Sequence, residues 1–430
     1  MDARMGRRRF VTLMAGATAA ATSGAACAPA ESAPAESAPA ESAPATSAGT
    51  VFYASVGADL GSYTVDDQAL TLTRDSVTRM PDAVQYVWVH PTSPVMYVAY
   101  SNRSTANNNH GVAVYRIDRG NGRLTELAEP ITFDNRPIHI CVDPAGQHLL
   151  VAYNQPSDLT VHTLNADGSI GDTVVQREPV DAGLYAHQVR VAPSGTFVVL
   201  STRGSDATAT APEDPGALKV FRFSDGQLSN EKSVANGTGI GFGPRHVDFH
   251  ATEPWMYVSM ERNNEVLTYE VQGDGISPSP LYTEATVSRP EYRAPTQYLG
   301  PIHVHPSGRY LYLVNRSDGT VNFAGTKVHG DGENSVAVFS IDSAGGEPML
   351  IQTIGTEAFH ARTFSIHPSG KMLVTAAVAP LSERAGDQVR EVPAGLSVFS
   401  VGDDGRLAFA RKYDVDVAGG PLFWCGMVTI

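Results

Sequence analysis

The chain has 430 residues, 42% of them hydrophobic and 18% charged, with a net charge of −14 at pH 7. So acidic a surface repels nucleic acid and anionic lipid, and an anionic ligand would need arginines gathered locally against that background. Three cysteines, Cys27, Cys141 and Cys425, are too few for a disulfide framework, and beyond the N-terminus no stretch is apolar enough to span a bilayer.

Residues 1–26 begin with a basic run, Arg7-Arg8-Arg9, followed by Phe10-Val11-Thr12 and an Ala/Gly/Thr-rich stretch ending at Ala26. A basic head, an apolar middle and small residues before a cut predict an export signal, here of twin-arginine type. The competing reading is a membrane-spanning N-terminus, for which the stretch is short and weakly hydrophobic. Gly24-Ala25-Ala26-Cys27 resembles a lipobox, so Cys27 is a candidate for lipidation, although Gly24 stands where a Leu-like residue is usual. Residues 27–49 repeat Ala-Pro-Ala-Glu-Ser and cannot bury a core. They are read as a tether, and the mature protein as exported, periplasmic or held in the cell envelope, touching membrane only through a lipid at Cys27.

From residue 50 to 430 one phrase recurs: an apolar strand, a turn carrying Pro or Gly, then a second apolar strand. The turns begin at His90, Asp143, Ala192, His250, His305 and His367, spaced 53, 49, 58, 55 and 62 residues apart. Second strands are predicted over Met96–Tyr100, Leu149–Tyr153, Phe197–Ser201, Met256–Met260, Tyr310–Asn315 and Met372–Ala376. Third strands follow, from Val112–Ile117 in the first repeat to Leu396–Val401 in the sixth. A repeat near fifty residues with strand composition predicts an all-β fold, a β-propeller. At the ends, Pro421–Val428 falls where a seventh first strand is due, and Val51–Val56, Gly61–Val65 and Leu70–Thr73 supply the remaining three. The expectation is seven blades, closed by pairing of the N- and C-terminal strands so that no sheet edge is left open.

Aligned on the turn, the position five residues before it holds Gln85, Ile138, His187, Arg245, Gly300 and Arg362. The position eleven residues after it holds Ser101, Asn154, Arg203, Glu261, Arg316 and Val378. Strands one and two run antiparallel, so both sets meet at one end of the propeller. Arginines, a histidine and a glutamate at matched strand ends predict a mouth that binds an anion and moves protons. The plain alternative is ordinary ion pairing on a wet rim. His139 and His246, one residue further along, are expected to play buried or inter-blade structural roles. His90, His250, His305 and His367 are expected to be turn scaffolding, and Cys141 and Cys425 buried free thiols.

Nothing in the sequence has metal-ligand spacing, and no GxSxG elbow marks a serine nucleophile. Gly237–Gly243 is Gly-rich but adjoins no helical pattern that would make it a phosphate cradle.

Ala186-His187-Gln188-Val189, Gly243-Pro244-Arg245-His246, Glu261 shortly after Tyr257-Val258, and Tyr312-Leu313-Val314-Asn315-Arg316 resemble the β-propeller lactonase family. That family includes propeller-type 6-phosphogluconolactonases and the fungal carboxymuconate cycloisomerase. The resemblance runs from about Val51 to Val428 and implies a site of His187, Arg245, Glu261 and Arg316, working without metal or organic cofactor. Arg203, Arg362, Asn154 and Gln85 are the candidate substrate-binding residues. His187 or Glu261 would be the base, the other the acid, with Arg245 and Arg316 holding a carboxylate or an oxyanion. Neither acid–base residue belongs to the apolar blade core, so both are expected to be replaceable without loss of folding.

The chain departs from the family at Gly300-Pro301-Ile302, which removes a carboxylate near the mouth, and in insertions at Ser205–Pro215, Gly319–Asn334 and Pro380–Pro393. The implied activity is hydrolysis or formation of a lactone of an anionic sugar acid or related acid, with proton transfer beside a carboxylate as the isomerase version. An exported enzyme would meet something other than the cytosolic 6-phosphogluconolactone. The alternative is a non-catalytic envelope binding or scaffold propeller.

Overall fold

The computed structural model describes residues 49–104, 107–289 and 296–430, so the predicted export signal, Cys27 and all of the tether but Gly49 lie outside the described residues. Every regular element described is a strand. Seven antiparallel sheets follow one another as blades: 84–132, 137–173, 186–234, 244–285, 297–355 and 361–414, numbered 1 to 6, and a seventh shared by the two ends. In blade 7, Leu422–Thr429 pairs antiparallel with Thr50–Val56, which pairs in turn with Asp59–Asp66 and then Thr71–Arg79. The two ends pair as the sequence predicts, in a register that runs from Thr50 opposite Thr429 to Val56 opposite Leu422.

The second strands are buried along their whole length, as in Val95–Ser101 and Tyr310–Ser317, because a neighbouring blade covers each face. That is why they read as unbroken apolar runs rather than alternations. Outer strands such as Gln227–Val234 have one wet face and are mostly polar. The core is thus a set of inter-blade layers; Phe197, Val199, Met256 and Val258, for instance, pack blade 3 on blade 4.

Polar staples link the layers. Nε2 of His90, His250 and His305 lies 3.0, 2.8 and 2.8 Å from the carbonyl oxygens of Gly146, Gly308 and Gly370, each in the turn of the next blade. Their Nδ1 atoms accept backbone N–H groups of their own turns, which assigns the proton to Nε2. The turn histidines are therefore scaffolding that joins blade to blade. Gly146 sits at φ +70°, and a Cβ there would lie 2.5 Å from the His90 ring, so glycine is needed for both reasons. Buried hydroxyls of Tyr97, Tyr257 and Tyr312 repeat the device, donating to Gly168, Gly346 and Gly405 carbonyls at 2.8, 3.1 and 2.8 Å.

Two insertions form extra hairpins, Thr320–Phe323 with Thr326–His329 and Leu381–Ala385 with Gln388–Val392, and these pack together beside the end of the second strands.

Candidate active site

The register between first and second strands slips at the same place in every blade. Cα pairing skips Gln85, Ile138, His187, Arg245 and Arg362, both Gly300 and Pro301 in blade 5, and Phe423 in blade 7. Each is a β-bulge, which bends the strand and re-aims a side chain. In six blades the bulge re-aims one side chain at the same strand end; in blade 5 the bulge takes in Gly300 and Pro301. Opposite them the second strands end: Arg203 N–H donates to Tyr185 O at 3.0 Å and Glu261 N–H to Gly243 O at 2.9 Å.

Glu261 is the hub. Its Oε1 accepts from Arg245 Nε at 3.1 Å and from the Arg316 guanidinium, while Oε2 accepts from Arg203. Three blades thus grip one carboxylate, and the side chains of Arg245, Arg316 and Glu261 are 1%, 5% and 8% exposed. Burial alone would raise the Glu261 pKa, but Arg316, Arg245 and Arg203 outweigh it and hold the carboxyl well below its usual range. Burial first, then the like charge of Arg316, pushes Arg245 down to about 9. At neutral pH Glu261, Arg245 and Arg203 are all charged.

Local packing orients each arginine. Arg203 bonds Asp206 at 2.9 Å, and Arg262 ties Asp206 and Glu213 at 2.7 and 2.5 Å, so the 205–215 insertion is strapped to the mouth rather than loose over it. Gly300 lies beside Arg316: a Cβ there would crowd the Val314 carbonyl oxygen at 3.0 Å and rest in ordinary contact with Arg316 Cδ at 3.5 Å. Arg316 also reaches His360, whose Nε2 lies 3.2 Å away.

His187 is buried, with Nδ1 unpartnered, and its ring lies 5.2 Å from that of His246. Burial, then Arg245, presses its pKa well below the ordinary imidazole value, with Glu261 opposing. It is a neutral imidazole at pH 7. His246 Nε2 lies 3.2 Å from Arg245 Nη1, its ring is tilted 60° to that of His187, and the His139 ring lies 3.8 Å from that of Tyr86, so both histidines are packed among the mouth residues.

Arg362 has no carboxylate partner among the described residues; its guanidinium lies 4.0 Å over the Phe423 ring. Gln85 accepts two hydrogen bonds from Arg136, at 2.9 and 2.6 Å, instead of joining the Glu261 cluster. Asn154 is buried at the end of its strand, and no hydrogen bond joins it to the other candidates. Ser101 is structural, bonded to His110 Nδ1 at 2.9 Å. Sequence reasoning missed His360, Arg103, Arg136 and Phe423; the first three lie in loops, and Phe423 in the one first strand with no turn to align on.

A cleft of about 570 Å³ between blade 4 and the 235–242 loop, lined by Ile240, Phe242, Tyr269 and Pro280, holds no basic side chain. Among the described residues no three His, Cys, Asp or Glu side chains converge as a metal-ligand set.

Seven blades close around a mouth rich in guanidiniums, with one carboxylate and a neutral imidazole. The chain belongs to the seven-bladed β-propeller lactonase family, whose model matches residues 48–379. It is similar to the 6-phosphogluconolactonase of Bacillus subtilis, 25% identical over 320 residues covering 73% of this chain and 82% of that protein. The 6-phosphogluconolactonase of Pectobacterium atrosepticum is 26% identical over 306 residues, covering 71% and 80%. In fold it is similar to the periplasmic gluconolactonase of Pseudomonas aeruginosa, with TM-score 0.65 and 19% identity over 88% of this chain and 99% of that one.

Proposed function

We propose that this mouth hydrolyses a lactone of an anionic sugar acid or related acid, using only side chains of the chain. The observation that carries the reading is the Glu261 hub, gripped by three arginines at the mouth that also holds neutral His187 and unpaired Arg362.

In this mechanism His187 takes a proton from water as the oxygen attacks the lactone carbonyl. The charge on the former carbonyl oxygen faces guanidinium donors held rigidly in a dry site. The ring C–O bond then breaks, and the imidazolium returns the proton to the leaving ring oxygen. The product is the open hydroxy acid. A carboxylate held so far below its usual range is a poor proton acceptor, which favours His187 over Glu261 as base. Glu261 instead positions the arginines and stabilises the imidazolium. Membership in a lactonase family, and relatives named 6-phosphogluconolactonase, support the hydrolytic direction.

A panel of lactones assayed with the purified protein, before and after chelator treatment, tests this. Turnover of at least one anionic lactone, unaffected by chelator and reduced about 10²–10⁴-fold in His187→Ala, is expected. No turnover, or full activity in His187→Ala, overturns the mechanism.

We further propose that residues 1–26 direct export and that Cys27 carries lipid, on the strength of Arg7-Arg8-Arg9 and the tether that follows. Mass spectrometry of the mature protein checks both. An intact Met1 overturns the pair, and cleavage without lipid overturns the second.

A further inference from the structure

Beside the Glu261 hub lies a second group of guanidiniums with a different balance of charge. Arg103, in the loop after the second strand of blade 1, lies 4.4 Å over the Phe423 ring, and Arg362 lies 4.0 Å over the same ring. Arg136, just ahead of blade 2, is bonded through Nε and Nη2 to Gln85, a neutral amide. Among the described residues none of the three has a carboxylate partner, whereas every arginine on Glu261 does.

The grouping is built rather than incidental. Phe423 and Gln85 are the bulged residues of blades 7 and 1, aimed to the mouth by the device that aims His187 and Arg245. Arg103 sits at φ +56°, uncommon outside glycine, with its N–H held by Ser101 Oγ at 2.9 Å. Burial lowers the pKa of all three, like charges add to this at Arg136 and Arg362, and Arg136 falls to about 10. Glu261 offsets only part of this at Arg362, and no carboxylate among the described residues pairs with any of the three, so a bound anion would relieve the remaining like-charge repulsion. Arg103 is exposed and Arg136 half-buried, so a ligand can reach them from the mouth.

We propose that Arg103, Arg136 and Arg362, set around Gln85 and Phe423, form an oxyanion subsite that holds a charged tail of the substrate. The lactone ring then lies toward His187 and Glu261. Stacking on Phe423 leaves the in-plane N–H groups of two guanidiniums free to donate, the geometry a phosphate or carboxylate accepts. The orientation of the substrate rests on the lactonase reading; the anion subsite does not.

Two measurements separate these. Isothermal titration of the full-length chain with inorganic phosphate, and separately with malonate, reports the subsite without turnover. One equivalent is expected to bind, weakening with added salt, and about 10-fold or more weaker in Arg103→Gln and in Arg136→Gln. Thermal unfolding of both variants checks that they fold; exposed Arg103 provides the variant least able to disturb packing. Absence of binding, or binding unchanged in both variants, overturns the subsite.

Kinetics on glucono-δ-lactone, its 6-phosphate and a glucarolactone report the tail. In the variants the preference for a charged over an uncharged tail is expected to fall about 10-fold, mostly through KM. A fall confined to the phosphorylated substrate identifies a phosphate tail, and one confined to the glucarolactone a carboxylate. Phosphate or malonate binding lost in the variants with no lactone turned over leaves the subsite and removes the catalytic reading. Turnover with an unchanged preference removes the subsite.

Discussion

Arg245 Nε lies 3.1 Å from Glu261 Oε1, inside one blade, while the same oxygen takes the guanidinium of Arg316 from the next blade. With Arg203 of the preceding blade on Oε2, one carboxylate balances three largely buried cations drawn from three sheets. The arrangement is therefore both the centre of the mouth and a rivet between blades.

That double role alters what substitution of Glu261 should do. The sequence alone suggests a residue that can be replaced without harm to folding. The structure makes its removal leave buried guanidiniums unpaired, a change that typically costs about 3–5 kcal/mol. Glu261→Gln is expected to lose both activity and stability. Urea unfolding would show it as a lower midpoint with an unchanged slope. A midpoint equal to that of the parent chain refutes the rivet.

Arg245→Lys keeps the charge but not the fork. Arg245 is 1% exposed and holds Glu261 through Nε, a position no ammonium reproduces. Activity on whichever lactone is turned over is expected to fall at least about 10²-fold, the scale seen when one preorganised donor is lost. Activity within a few-fold of the parent would exclude Arg245 from the charge-stabilising group.

Stability should also fall on mild acidification, for a reason separate from the carboxylates. Burial holds His139, His187 and His246 well below the ordinary 6.5, and brings His162 and His360 to about 4. The unfolded chain then binds more protons than the folded one at every pH between those values and 6.5. The stabilisation is complete above pH 6.5 and is lost as pH falls. A fully shifted histidine contributes roughly 1 kcal/mol of that loss between pH 6.5 and 5.5. Glu261 does not enter until far lower pH, because its arginines keep it ionised. Tm is expected to fall slightly from pH 7.5 to 6.5 and more steeply by pH 5.5; a flat Tm across the whole range would contradict it. For the same reason kcat/KM should show no inflection near 6.5 if His187 is the base.

Much of this was legible before any coordinates, because a repeat protein writes equivalent positions at equivalent spacing. His187, Arg245, Glu261, Arg316, Arg203 and Arg362 fall out of one alignment, and the reason is the recurring bulge, which makes position equal to direction. The same alignment does not show that Gln85 is engaged by Arg136 rather than by the Glu261 cluster, or that Asn154 has no hydrogen bond to that cluster. Arg103, Arg136 and His360 sit in loops, where no repeat register exists to read. Phe423 escaped because blade 7 has no Pro/Gly turn to align on; its place is set by pairing with the other end of the chain. The insertions after the second strands of blades 5 and 6 are polar in sequence and give no sign that they fold into hairpins resting on each other.

Cys141 and Cys425 should be inert in the native protein. Both are buried, and burial raises each thiol to about 12, so the thiolate fraction at pH 8 is negligible. A chromogenic disulfide reagent added to the chain from Gly49 is expected to release almost nothing until denaturant is added, then two equivalents. Rapid native labelling of either thiol would mean that its strand opens readily.

The closing strand should be indispensable to the ring. Leu422–Thr429 supplies the whole hydrogen-bonded partner of Thr50–Val56 and brings Leu422, Phe423, Trp424 and Cys425 into buried positions. Trp424 packs with Tyr53 and Met96 toward blade 1, and Leu422 and Cys425 with Met372 and Val374 toward blade 6. Ending the chain at Gly420 therefore does more than shorten a terminus. It strips two inter-blade layers at once, exposes the edge of Thr50–Val56, and leaves blade 7 without the strand nearest the channel. Each large apolar side chain lost from such a layer costs about 2–5 kcal/mol, and several go together, which exceeds the whole stability of most domains. The truncated chain is expected to lose cooperative unfolding and to aggregate. Adding a peptide of residues 421–430 during refolding is expected to restore part of the soluble, cooperatively unfolding fraction, as strand addition to an open edge requires. A soluble truncated chain with the parent's unfolding midpoint would show that closure by the two ends is not what holds the propeller together.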